Sequence, residues 1–540
     1  MSPVMPSTMQ EAPLTLADIL RRGRTLFADS EIVTFEGDCS RRATFAEVTD
    51  RVARLAAGLR RLGVRPGDRV GTLCWNHQQH LEAYFAVPCM GAVLHTLNLR
   101  LAPSQLAFVV NQGGDKLLIV DAGLVSLLAA IRPQLTTVKT VVVVGGAGLG
   151  LGDVVDYEDL IASSPPLQDW PRLDERQAAA MCHSTGTTGD PKGVVYSHRS
   201  IWLHSVALIS GFSINQDDRV GLTVPMFHVN AWGMPYAAWM CGADLLLPDW
   251  YLQPRSLLSF ALEERPNFLV GVPTIFQGLL VAAQAAGARL DFVRIGVCGG
   301  SAVPVSLMEA YQRWFPLVQA WGMTETSPLG LIALPPRGVT EDDPDYWYFR
   351  SKTGRAVPGV ELRIVGGKGE PLPWDGRSVG ELEVRGPWIT GSYLGGTGRD
   401  RFHDGWLRTG DVGTVDPRGY VQITDRAKDV IKSGGEWISS VELETHLMAH
   451  PAVLDAAVIG ISDERWQERP LAVVSFRPGQ FAEPEELREF LEGKVAGFWL
   501  PDCWAVVAEI PKTSVGKQDK KAIRALQAEG RLRMRRLVGL

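Results

Sequence analysis

Short apolar runs alternate along this chain with segments whose apolar residues recur every three or four positions. That alternation limits the fold more than any other feature. Thr44-Phe45-Ala46-Glu47 has the spacing of a capping box, in which a hydroxyl and a carboxylate satisfy the free amides of a first helical turn. Val48, Val52, Leu55, Leu59 and Leu62 then follow at helical spacing, and Gly63 predicts the stop. Residues 69–75 read as a short strand, 77–90 as a helix and 92–97 as a second strand, and the pattern recurs over 117–144 and 219–320. Strands separated by helices pair in parallel, which predicts a doubly wound α/β architecture.

The glycine-rich segment 145–153 follows an apolar strand but lacks G-x-G-x-x-G spacing, with Asp153 where the last glycine would stand. It reads as a connector. Near residue 425 the texture changes to a dense charged patch, short strands at 456–461 and 471–476, and helices near 440–449 and 483–495. The expected organisation is a large N-terminal domain of stacked α/β subdomains, 1–424, and a smaller α+β domain, 425–540, joined at the polar segment 425–429. The tail carrying Arg531, Arg533, Arg535 and Arg536 reads as a solvated terminus, with peripheral membrane contact as the lesser alternative.

Composition removes several classes. Apolar residues form 46% of the chain and charged residues 21%, which excludes global disorder. Lys and Arg total 54 against 60 Asp and Glu, a net charge of -6, so there is no whole-chain attraction to nucleic acid or anionic membrane. The seven cysteines are scattered with no C-x-x-C pair, which speaks against a disulfide framework or structural zinc. No segment approaches the ~20 apolar residues of a membrane helix, and the first residues make a poor signal peptide. A cytoplasmic enzyme is expected.

The chemistry concentrates in one segment: Ser184, Thr185, Gly186, Thr187, Thr188, Gly189, Asp190, Pro191, Lys192 and Gly193. Hydroxyls and glycines packed this way offer backbone amides and side-chain donors to phosphate oxygens, with Lys192 as a point charge. No G-K-[ST] ends it, so it is not a Walker A loop.

This segment resembles the phosphate loop of the adenylate-forming superfamily, which includes acyl-CoA synthetases, peptide-synthetase adenylation domains and firefly luciferase. Other motifs follow in order across essentially the whole chain. The stretches 224–232, 321–328 and 431–440 resemble those of bacterial medium- and long-chain fatty acyl-CoA synthetases, with methylthiopropionate-CoA ligases as neighbours. The resemblance implies ATP and coenzyme A as co-substrates, with Mg²⁺ accompanying ATP.

It also implies roles for particular residues. Glu325 and Ser184 lie near the Mg²⁺, a hard ion suited to carboxylate and hydroxyl oxygens, and Thr324 touches the α-phosphate. Adenine sits against Gly300, with Gln319, Ala320 and Trp321 lining the pocket; Trp321 also suits an ordinary core position. Asp411 clamps the ribose with Arg426, and Lys428, Lys432 and Trp437 reach the nucleotide. Lys517 is the catalytic lysine of the C-terminal loop 511–517, while Lys512, Lys520 and Lys521 read as solubility lysines. His228 and Trp232 flank the acyl entrance, with Trp232 as gate; His228 also suits a satisfied core histidine. Ser433, Gly434 and Gly435 belong to a thiolation face, and Asp425 is the hinge about which the small domain rotates; Asp425 also suits the part of a loop-capping carboxylate.

The function implied is an AMP-forming ligase that joins a fatty acid to coenzyme A, acting as a homodimer with medium- to long-chain preference. A short-chain or 3-methylthiopropionate ligase is the alternative within that class. An adenylation module loading a carrier protein, a non-catalytic acyl or nucleotide sensor, and luciferase-type chemistry lie outside it. The presence of Ser184, Glu325, Asp411 and Lys517 together speaks against the sensor.

Overall fold

The computed structural model describes residue 5 and residues 7–146, 154–184, 190–367, 369–426, 429–433, 436–512 and 518–537, with Arg426, Lys432, Glu436 and Trp437 described by their backbone alone. The chain forms two compact units, one of residues 1–183, 193–218 and 225–250, the other of 184–192, 219–224 and 251–540.

The first unit is built on a seven-stranded sheet in the order Val155–Asp156, Thr140–Val144, Asp115–Asp121, Arg69–Leu73, Val93–Thr96, Ala178–His183 and Gly193–Ser197. Every neighbour pair is parallel except the last, which is antiparallel. The α/β class expected from the alternation is therefore present. The helix Phe45–Arg61 begins with the expected capping box: Thr44 Oγ1 accepts from Glu47 N at 3.2 Å, and the Glu47 carboxylate accepts from Thr44 N at 2.7 Å. Gly63, at φ 89°, follows the helix and turns the chain where a β-carbon would be strained. Helix Gln78–Cys89 is buried except at Gln79, and its buried polar residues are paired: Gln78 donates to Glu82 at 2.8 Å, and Glu82 accepts from Arg51 at 2.6 Å. Trp239 fills the space beside these helices, stacking on Phe45 at 3.9 Å between centroids. Gly23 permits this, because a β-carbon there would lie 2.1 Å from the indole.

In the second unit, strands Arg219–Leu222, Phe268–Gly271, Ile295–Cys298 and Leu317–Gly322 are parallel neighbours, and Leu329–Ile332 and Arg355–Ala356 add antiparallel edges. An antiparallel sheet of Glu361–Val365, Gly380–Arg385, Trp406–Val415 and Val421–Arg426 follows. The last part of the chain is α+β, as expected. Its central hairpin pairs Val453–Asp463 with Gln467–Phe476, longer than the apolar runs suggested because polar Asp455, Ser462 and Asp463 continue the ladder. Helices Ser440–Met448 and Pro484–Leu491 share one apolar cluster with that sheet, whereas Ile523 of helix Lys520–Ala528 joins another. The helix expected near 483–495 ends at Leu491, shortly before Gly493 at φ 75°. Among the described residues, no helix is long and apolar enough to cross a membrane.

Candidate active site

In the segment 184–192, Ser184 and Lys192 close the base. Ser184 N donates to Lys192 O at 2.9 Å, and Lys192 N donates to Ser184 Oγ at 3.3 Å. Thr185, Gly186, Thr187, Thr188 and Gly189 lie outside the described residues. The Lys192 ammonium stands 5.0 Å from the centroid of the Tyr393 ring, a cation-π contact that holds its direction.

Tyr393 links this lysine to Glu325. Its hydroxyl donates to Glu325 Oε1 at 2.7 Å. Burial, together with the adjacent Glu325 charge, raises the phenol well above its ordinary value, so it remains a donor. Glu325 occupies the short turn Thr324–Thr326, all of it buried, which leaves the strand Leu317–Gly322. Thr390 N donates to Glu325 O at 2.8 Å and fixes the backbone from outside the turn. Gly322 makes the turn possible, since a β-carbon there would fall 1.6 Å from Pro328 O. The result is a buried carboxylate in a hydroxyl-rich turn, the donor type a hard divalent cation selects.

Gln319 and Trp321 come from the same strand. Gln319 Oε1 accepts from Val303 N at 2.7 Å, and Nε2 donates to Lys352 O at 3.0 Å, so this side chain braces the segment after Gly300. Gly300 itself has φ 88°. Ala320 pairs with Ile332 in the ladder. Trp321 Nε1 donates to Asp411 Oδ2 at 2.9 Å, which joins one expected pocket residue to the expected ribose carboxylate. Asp411 N donates in turn to Thr409 Oγ1 at 3.0 Å. Across the antiparallel ladder Asp411 faces Arg426, so the two expected ribose contacts are cross-strand partners.

Asp425, beside Arg426 on that strand, is 1% exposed, and its Oδ2 accepts from both N and Oγ of Ser440, the former at 2.6 Å. Lys432 pairs with Trp437 in the hairpin register. Ser433 is buried and its Oγ accepts from Arg469 at 3.2 Å, while Gly434, Gly435 and Lys428 lie outside the described residues.

Lys517 also lies outside them, but its flanks do not. Lys512 and Gln518 face each other in an antiparallel bridge, and both donate to the Asp455 carboxylate, Gln518 at 3.0 Å. Asp519 N donates to Pro511 O at 2.8 Å. The residues on either side of 513–517 are thus stapled together by one carboxylate.

His228 and Trp232 belong to the first unit, in and beside a turn of unusual geometry. Val229, Asn230, Ala231 and Trp232 have φ of 47°, 47°, 49° and 58°. Four consecutive non-glycine residues in the left-handed region store strain, and such strain collects where a segment has a task. Trp232 is half-buried, and the turn is held from within by Asn230 Oδ1, which accepts from Cys182 Sγ at 3.3 Å.

Elsewhere in that unit Cys74, His77 and Asp121 have the composition of a metal site. His77 Nδ1 accepts from His80 N at 3.2 Å, which leaves the ring proton on Nε2, facing Asp121 Oδ1 at 2.8 Å. His77 Nδ1 thus caps helix Gln78–Cys89 while Asp121 holds its Nε2 and also accepts from Trp75 N at 2.8 Å, and Cys74 Sγ donates to Ile119 O at 3.6 Å, so each of the three has a structural task.

Sequence reasoning missed Tyr393, Asp455, Ser440 and Arg469. Ser440 closes the singled-out stretch 431–440 but carried no role there, and the other three lie outside the singled-out stretches; their partners are 15 to 80 residues away in sequence.

Comparison with known proteins points in one direction. The chain matches the family model described as AMP-binding enzyme over residues 22–394, and that of the AMP-binding enzyme C-terminal domain over 442–517. It is 46% identical over 531 residues to a long-chain-fatty-acid–CoA ligase of Thermus thermophilus, covering 96% of each chain. It is 41% identical over 528 residues to a 3-methylmercaptopropionyl-CoA ligase of Ruegeria lacuscaerulensis, covering 96% of this chain and 98% of that one. Among solved structures, an anthranilate CoA ligase in complex with anthranoyl-AMP has a TM-score of 0.87 at 26% identity, covering 97% of this chain and 100% of that one.

Proposed function

The chain belongs to the AMP-binding enzyme family, and from that premise we propose that it is an AMP-forming fatty acid–CoA ligase with medium- to long-chain preference. The observation that carries this reading is the likeness to a long-chain-fatty-acid–CoA ligase along 96% of both chains. The reaction has two steps. The fatty carboxylate attacks the α-phosphate of ATP, forming acyl-AMP and releasing pyrophosphate. The coenzyme A thiol then attacks the acyl carbonyl, and AMP leaves.

The first step needs negative charge offset on the phosphates. Glu325 and Ser184 would hold the Mg²⁺ that accompanies ATP, where it would neutralise phosphate charge. Lys192 and the donors of Thr185, Gly186, Thr187, Thr188 and Gly189 serve the phosphates, and Thr324 serves the α-phosphate. Gly300, Gln319, Ala320 and Trp321 form the base pocket, with Gln319 shaping it by bracing its wall. Asp411 and Arg426 take the ribose, with Trp321 fixing the Asp411 carboxylate. Lys428, Lys432 and Trp437 add contacts to the nucleotide. Lys517 is the preorganised cation for charge developing on the carboxylate and α-phosphate oxygens.

The two steps require different partners at one reacting carbonyl, and the mixed anhydride must be kept from water. A division into residues 1–424 and a mobile 425–540, turning about Asp425, meets both needs. Ser433, Gly434 and Gly435 then form the thiolation face. His228 and Trp232 border the acyl entrance, where one rotamer change of an indole opens substantial volume. The free cysteines support a reducing compartment such as the cytoplasm, and resemblance supports a homodimer.

A second reading, a ligase for 3-methylthiopropionate or another short acid, is favoured by the 41% identity to a 3-methylmercaptopropionyl-CoA ligase. ATP- and CoA-dependent AMP release across saturated acids from butyrate to stearate, with 3-methylthiopropionate included, separates the two. A maximum from octanoate to palmitate supports the long-chain reading. A maximum at 3-methylthiopropionate or the shortest acids supports the second. AMP release that does not depend on CoA contradicts both.

A further inference from the structure

Lys520 opens the helix Lys520–Ala528, only three positions beyond Lys517. A lysine there should be solvated, because the positive end of a helix dipole repels a cation. Instead its side chain is 11% exposed. Its ammonium donates to Ser440 Oγ at 2.6 Å and lies 2.7 Å from Glu444 Oε1. Ser440 passes the contact on, since its own N and Oγ both donate to Asp425 Oδ2. Lys520, Ser440 and Asp425 thus form a continuous hydrogen-bonded row.

Buried charges surround the row. Asp425, Glu444 and Asp429 are all buried, and Arg524 pairs with Asp429 at 2.7 Å. Burial alone would lower the Lys520 ammonium's pKa, but these carboxylates outweigh it and hold it above its ordinary value. A lysine buried against its own helix dipole is a departure from local preference that helix stability does not explain. Its location between the Lys517 segment and the proposed hinge does.

We propose that Lys520 is a positioning residue that ties the segment bearing Lys517 to the hinge carboxylate Asp425. Lys517 is presented for adenylation only while the row from Lys520 through Ser440 to Asp425 is intact. This rests on the functional reading above, in which Asp425 is the hinge and Lys517 acts in the first step. The thioester-forming step, which does not use Lys517, depends on the row much less.

The test measures the two half-reactions separately: fatty-acid-dependent ATP–pyrophosphate exchange, and acyl-CoA formation from supplied acyl-AMP. Lys520→Met should slow exchange by about 10²-fold, the loss that follows from misplacing a reacting group by about 1 Å. Thioester formation from acyl-AMP should fall only a few-fold. Lys520→Arg, which restores a cation, should recover most of the exchange. Because Lys520→Met leaves Glu444 buried without its partner, the double variant Lys520→Met with Glu444→Gln relieves that cost. It should regain the wild-type unfolding temperature while exchange stays slow. If the double variant recovers exchange together with stability, or if both half-reactions fall in parallel, Lys520 is a fold-stabilising residue and the proposal is overturned. Wild-type protein that forms no acyl-AMP would overturn the functional reading itself.

Discussion

The hydroxyl of Tyr393 donates to Glu325 Oε1 at 2.7 Å across 68 residues of sequence. The same ring carries the Lys192 ammonium 5.0 Å from its centroid. One aromatic side chain therefore sets the position of both a proposed metal-binding carboxylate and a proposed phosphate-binding cation.

Tyr393→Phe keeps the ring and removes only the donor. Hydrogen bonds to charged groups contribute about 1.5–3 kcal/mol, so adenylation should slow by about 10- to 10²-fold with a raised Mg²⁺ requirement. ATP–pyrophosphate exchange measured against Mg²⁺ concentration checks this. An unchanged Mg²⁺ dependence would remove Tyr393 from the Glu325 site.

Gly322→Ala is expected to destabilise strongly, since the added carbon would meet Pro328 O at 1.6 Å. Overpacking against backbone that cannot yield should cost about 3 kcal/mol or more. Thermal unfolding reads the loss. Gly287→Ala is a suitable comparison because a β-carbon there meets nothing within 4 Å, although its φ of 60° adds some backbone strain.

Asp455→Ala removes the carboxylate shared by Lys512 and Gln518, the residues that bracket the Lys517 segment, leaving Gln518 its bond to Ala456 O. Adenylation should fall by about 10-fold through loss of orientation, with thioester formation from supplied acyl-AMP largely retained. Equal loss in both half-reactions would mean that Asp455 serves stability alone.

Glu444 makes the stability depend on pH. Burial pushes its carboxyl up to about 7, with Lys520 opposing the shift and Asp425 adding to it. Val458 N also donates to Glu444 Oε1 at 2.7 Å and opposes the shift, but burial outweighs it. A carboxyl whose folded pKa lies above its unfolded value of about 4.3 contributes stability that is fully present below that value and is lost as pH rises through about 7. Unfolding temperatures from pH 5 to 8 should therefore fall more steeply for the wild type than for Glu444→Gln. Parallel curves would contradict the assignment.

How legible the molecule was in its sequence follows the range of each interaction. The Thr44–Glu47 capping box could be read directly, because both partners lie within one turn. The strand and helix alternation gave the α/β class for the same reason. The segment around Ser184 and Lys192 declares its chemistry locally, as does the turn at Glu325. Trp321 and Asp411, 90 residues apart, each looked functional, but their hydrogen bond required the fold. Lys520 looked like a solubility lysine because nothing near it in sequence suggests burial; Ser440 and Glu444 lie some 80 residues upstream. The strand Val453–Asp463 reads too short because Asp455 interrupts its apolar run, and the structure gives that aspartate the Lys512 and Gln518 contacts.

The central claim is a two-step reaction through acyl-AMP, with Lys517 acting in the first step. The most direct test incubates wild-type and Lys517→Ala protein with laurate and MgATP, without and then with coenzyme A, following acyl-AMP and acyl-CoA by mass spectrometry. The wild type should form acyl-AMP and pyrophosphate without coenzyme A, then convert the acyl-AMP to lauroyl-CoA and AMP when it is added. Lys517→Ala should form acyl-AMP about 10²- to 10³-fold more slowly, the loss expected for one preorganised donor, yet convert supplied acyl-AMP at near wild-type rate. Release of ADP in place of AMP, or equal loss of both steps in Lys517→Ala, would contradict the account.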